Sequence, residues 1–81
     1  MMMITMYIQL KSIDAIKEFV DVVSEIDGET ELISGRYMID AKSVIDIYSI
    51  NLSGPVQLNI RMDHEYNLDR LRKFQVYPDD E

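Results

Sequence analysis

The chain contains no cysteine, which removes disulfides, thiol catalysis and zinc-thiolate centres. Its only histidine is His64. Asp63, His64 and Glu65 are adjacent on an expected helix and point in different directions, so no metal site is expected from them. There are three glycines, and two of them fall in turns, which leaves no Gly-rich phosphate loop. No apolar run reaches about 18 residues, so no membrane span is expected. The N-terminus lacks a basic segment followed by a long apolar one, so no secretory signal is expected either. Cations are scarce: 8 Lys and Arg stand against 15 Asp and Glu, a net charge of −7. Phosphate backbones are repelled by such a chain, and nucleic acid is not an expected partner. Arg70, Arg72 and Lys73 do gather, but late in an expected helix, where cations suit the dipole. These absences point to a cytoplasmic protein without cofactor. No nucleophile–base pair converges anywhere, so an enzyme is not expected.

What is present is enough for a fold. Of the 81 residues 47% are hydrophobic, which suits one folded domain with a modest core. The domain is expected over 1–77, with a short acidic tail at 78–81. Met1 to Met3 are either start residues or the beginning of a strand. Ile4, Met6, Ile8 and Leu10 alternate with Thr5, Tyr7 and Gln9, the pattern of a half-buried strand. Ser12 is placed to cap a helix with Asp14 in its first turn, and Ile16, Phe19, Val20, Val23 and Ile26 recur at helical spacing. Asp27-Gly28 closes it. Residues 29–33 and 37–40 read as two strands joined by the turn Ser34-Gly35-Arg36. Val56, Leu58, Ile60 and Met62 alternate with polar residues, giving a strand with one face open to water. Asp63 through Tyr77 reads as a third helix, capped by Asp63 or Asn67, with Leu68, Leu71 and Phe74 inward. The order β-α-β-β-α-β-α suits an α+β fold, one antiparallel sheet with helices on a single face. A ferredoxin-like sandwich shares most of this order, so the strand neighbours stay open on pattern alone.

Between the hairpin and the last long strand lies Asp40 to Asn51, which reads as a short helix. Ser43 is placed to accept a hydrogen bond from a first-turn N–H, with Asp46 three residues on to reach back. Ile47 and Ile50 share one face and are expected in the core. Val44, Ile45 and Tyr48 lie too far round the helix to be buried with them. They are either packed elsewhere or form an exposed apolar patch beside the Ser43 hydroxyl.

With these residues in view, the chain resembles the HPr family, the phosphocarriers of the bacterial phosphoenolpyruvate-dependent sugar phosphotransferase system. The resemblance spans nearly the whole chain. It rests on the element order, on Phe19-Val20 and Ser24-Glu25-Ile26-Asp27 in and after the first helix, on the Gly35-Arg36 turn and on Lys42-Ser43-Val44. It implies an open-faced β-sandwich with a four-stranded antiparallel sheet in the order 1-4-2-3 and three helices on one face. It also implies a chemistry: a histidine at the entrance to the first helix, followed by Ala-Arg-Pro, takes a phosphoryl group from Enzyme I and passes it on.

Here Ser12-Ile13-Asp14-Ala15 stands at that place. Ser12 replaces the histidine and Asp14 the arginine. A serine without a base is a poor nucleophile, and Asp14 repels the anion that an arginine attracts. The second family site is better preserved. In some members a kinase phosphorylates the serine matching Ser43, and apolar residues on the same helix, matching Val44, Ile45 and Tyr48, dock protein partners. The resemblance therefore implies a regulatory or protein-binding module without a catalytic residue, acting through the second helix, with Ser43 as candidate phosphorylation site. Its partners would be phosphotransferase-system or catabolite-control proteins, HPr kinase among them, and the chain itself a monomer or weak homodimer. The alternatives are a phosphocarrier with His64 or Ser12 as acceptor, and a structural or oligomeric domain that reuses the fold.

Overall fold

The structure is a computed structural model and describes residues 2–78. The elements run β1 (Met2–Ile8), α1 (Ile13–Ser24), β2 (Glu29–Ser34), β3 (Tyr37–Asp40), α2 (Val44–Tyr48), β4 (Val56–Met62), a 3-10 helix (Asp69–Phe74) and β5 (Gln75–Val76). They form an α+β fold around one antiparallel sheet in the order β3-β2-β4-β1-β5. The first four strands are neighbours as β1-β4-β2-β3, and a fifth strand extends the sheet beyond the expected four.

Alternation decides which face is buried. Met2, Ile4, Met6 and Ile8 of β1 lie opposite Met62, Ile60, Leu58 and Val56 of β4. On the other side of β4, Thr30 and Leu32 face Ile60 and Leu58. Against this face α1 packs the stripe read from its spacing: Ile16, Phe19, Val20 and Val23 are all buried, and so is Val22. Phe19 meets Phe74 edge to face, ring centroids 5.6 Å apart, a favoured aromatic geometry. Ile47 of α2 and Leu71 of the 3-10 helix complete the same core. No helix among the described residues is long and apolar enough to cross a membrane.

The expected third helix over Asp63–Tyr77 is not formed. Residues 63–68 are irregular, a 3-10 helix occupies Asp69–Phe74, and the chain then joins the sheet as β5. Leu68, Leu71 and Phe74 recur every three residues, which is the 3-10 period and drifts round an α-helix. Asn67 does hold the entry, its Oδ1 accepting from Asp69 N–H at 2.9 Å. β5 pairs Gln75 and Val76 with Ile8 and Tyr7. Arg70 and Lys73 reach back to α1, to Glu25 at 2.8 Å and Glu18 at 2.5 Å. Arg72 stays within its own helix, 3.6 Å from Asp69, so the basic cluster both supports the 3-10 helix and ties it to α1. Of the expected acidic tail, Asp79, Asp80 and Glu81 lie outside the described residues.

Candidate functional site at the second helix

α2 is one turn and a fraction long, five residues rather than most of Asp40–Asn51. A helix this short is not stable by propensity and depends on packing. Ile47, fully buried, is its anchor, and Ile50 is half-buried just beyond its end. At its start Ser43 sits in extended conformation, and its Oγ accepts from Asp46 N–H at 3.2 Å. The reciprocal half of the capping box is absent: Ser43 N–H donates to the carbonyl of Asp40 at 3.1 Å instead. Asp40 also turns the chain, its Oδ1 accepting from Lys42 N–H at 2.9 Å. At the far end Ser49 Oγ donates to the Asp46 carbonyl.

Lys42 has a role that no local pattern announces. Its ammonium donates to the carbonyls of Ile26 and Gly28, at 2.7 and 3.0 Å, just past the end of α1. It thereby fastens the start of α2 to the exit of α1. Charged hydrogen bonds of this kind each contribute about 1.5–3 kcal/mol. Lys42→Met is expected to lower the unfolding free energy by about 2 kcal/mol, with Lys42→Arg intermediate. Urea unfolding of both variants measures this, and a loss below a few tenths of a kcal/mol would refute the role.

The three residues of the expected apolar patch separate. Ile45 is 80% exposed and Tyr48 49%. They stand three residues apart, on one side of the helix. Val44 does not share their exposure: it is half-buried and packs against the core. A helix with so few residues resting on the sheet buries its flank as well as its underside. Ser43 is itself half-buried. Asp40 and Asp46 are its close charged neighbours in the chain, while the Lys42 ammonium is drawn towards α1.

The other candidate residues are not brought to this site by any hydrogen bond among the described residues. Ser12 is the N-cap of α1, and its Oγ accepts from Ala15 N–H at 3.0 Å. Asp14 is exposed in the first turn. No side-chain hydrogen bond gives Ser12 a base among the described residues. His64 Nδ1 lies 2.8 Å from Asp63 Oδ1, and its ring lies over Tyr66 with centroids 4.5 Å apart. Tyr66 in turn takes Asp27 N–H on its hydroxyl at 3.0 Å. Glu65 is exposed, and no group of three or more potential metal ligands forms among the described residues.

The sequence pattern missed Tyr37 and Met38, 69% and 61% exposed on β3. Alternation identifies the faces of a strand, but not that the strand lies at a sheet edge, where one flank has no neighbouring strand. Compared with known proteins, the chain matches no family model and none of the curated proteins.

Proposed function

We propose that the chain is a regulatory, protein-binding module of HPr-like type, acting through the side of α2 that carries Ile45 and Tyr48. The observation behind it is their joint exposure beside Ser43 on a helix whose other flank is packed. An isoleucine and a tyrosine three residues apart make a compact anchor pair, and burying them against a partner is favourable. The neighbour order β1-β4-β2-β3 and the helices gathered on one face agree with what the resemblance implies, whereas β5 and the 3-10 helix depart from it. Against a phosphocarrier role stand the commitment of the Ser12 oxygen to its helix cap and of His64 to Asp63 and Tyr66. Such a module works in the cytoplasm with a phosphotransferase-system or catabolite-control protein.

Ile45→Glu and Tyr48→Glu are expected to weaken capture of that partner from a bacterial lysate by about 30-fold each, the effect of losing about 2 kcal/mol at an anchor. Stability should stay within about 0.5 kcal/mol, because both positions are exposed. Undiminished capture by both variants would end the proposal. The partly exposed Ser43 hydroxyl favours a second reading, in which phosphate on Ser43 switches the same surface. Asp40 and Asp46 would repel that phosphate and tend to push the start of α2 open. Intact mass after incubation with an HPr kinase and ATP tests it. One added phosphate, absent from Ser43→Ala, establishes the switch, and none leaves constitutive docking.

A further inference from the structure

The sheet face turned away from the helices is not uniformly solvated. The registers set Met38, Ile33, Gln57, Tyr7 and Val76 in one row across all five strands. Asp40, Glu31, Asn59 and Thr5 form the next row. The β3 end of these rows is therefore apolar at Met38 and acidic at Asp40 and Glu31.

Among the described residues β3 has a neighbour on one side only. Ala41 N–H donates to the Thr30 carbonyl at 3.0 Å. Counting back from that bond along the antiparallel ladder makes Leu32 and Ile39 a mutually bonded pair. The N–H and C=O of Met38 and the N–H of Asp40 then point away from β2. The Asp40 carbonyl is taken by Ser43 N–H. A short length of strand edge is thus left open, with Met38 beside it.

A depression of about 440 Å³ adjoins this edge, with Glu29, Glu31, Met38, Asp40 and Lys42 in its lining. The Lys42 ammonium is held by two carbonyls and does not neutralise the carboxylates. Arg61 approaches Glu29 at 3.8 Å, and neither Glu31 nor Asp40 has an ion-pair partner among the described residues.

We infer that the outer edge of β3 docks an extended, cationic segment of a partner protein, which adds as a strand antiparallel to β3. An apolar side chain of that segment lies opposite Met38. A lysine or arginine, two residues earlier in the segment, lies opposite Asp40 and within reach of Glu31. Main-chain bonds supply the pairing, and the cross-strand side chains supply the selection. The simplest competitor is a second copy on the same edge: with Met38 opposite Met38 it sets Arg36 of each chain opposite Asp40 of the other, while the net charge of −7 on each molecule opposes the approach. The open edge is short, so the complex is weak and salt-sensitive. This site uses other side chains than Ile45 and Tyr48, and the inference does not rest on their surface.

The test is a ¹H–¹⁵N NMR titration of the whole chain with a peptide in which threonine alternates with lysine and valine. Saturable shifts centred on Met38, Ile39, Asp40 and Glu31 are expected at low salt. The double variant Asp40→Asn, Glu31→Gln should bind at least fivefold more weakly. The amide that replaces the Asp40 carboxylate keeps an oxygen for Lys42 N–H, so the turn survives. Glutamate in place of the peptide lysines, or methylation of the peptide amides facing β3, should abolish the shifts. The inference is overturned by absent shifts, by shifts centred on α2, or by equal affinity in the double variant. Concentration-dependent shifts on β3 without peptide would also overturn it, since the occupant would then be a second copy.

Discussion

Phe19→Ala is expected to cost about 3–5 kcal/mol of unfolding free energy, the range for emptying an aromatic site in a closed core. Phe19 has no exposed surface and touches Phe74 edge to face, so the ring contact between α1 and the 3-10 helix is lost as well. Each kcal/mol moves the melting midpoint of a domain this small by roughly 4–8 °C, so a drop of at least about 12 °C is predicted. Many domains have only about 5–15 kcal/mol in total, and this variant is therefore near the limit of folding. Phe19→Leu keeps most of the volume and should lose far less. Equilibrium urea unfolding of the two variants measures the difference. A loss below about 1 kcal/mol for Phe19→Ala would mean that the site collapses freely and the core is not closed there.

Gly28→Ala is the second large effect, and it acts by crowding rather than by a void. A Cβ at Gly28 would lie 2.1 Å from the carbonyl oxygen of Arg61 and 3.3 Å from the Cα of Met62. Both are backbone atoms of β4, which is bonded to β1 on one side and β2 on the other. Neither can swing aside as a side chain can. The expected loss is about 3 kcal/mol, the upper end for overpacking, with β2 displaced where it enters the sheet. Gly54→Ala is the control. A Cβ there meets nothing within 4 Å, so stability should hold or rise by up to about 1 kcal/mol through a stiffer unfolded chain. Equal melting midpoints for the two variants would refute the close approach.

Much of the fold was written in local periodicity. The stripe Ile16, Phe19, Val20, Val23 and the alternation of Val56, Leu58, Ile60, Met62 each have a single geometry in which every apolar member is buried, and the structure adopts both. Turn chemistry was equally direct at Gly35, the one residue with positive φ among those described, at 59°. The end of the chain was less legible. Leu68, Leu71 and Phe74 looked helical, but a spacing of three serves a 3-10 helix, and nothing in Gln75-Val76 announces that Tyr7 and Ile8 will be beside it.

For the candidate site the division is similar. The capping role of Ser43 and the burial of Ile47 follow from residue type and spacing. The separation of Val44 from Ile45 does not, because the angle at which a five-residue helix rests on the sheet is set by what lies beneath it. Sequence by itself determined the first four strands, the main helix, the acid excess and the lack of thiols, since these depend on identity and on contacts within a few residues. Tertiary structure alone decided the fifth strand, the hold of Lys42 on the exit of α1 and the open edge of β3. Each of these depends on residues distant in the chain, or on a neighbour that is missing, and a local pattern encodes neither.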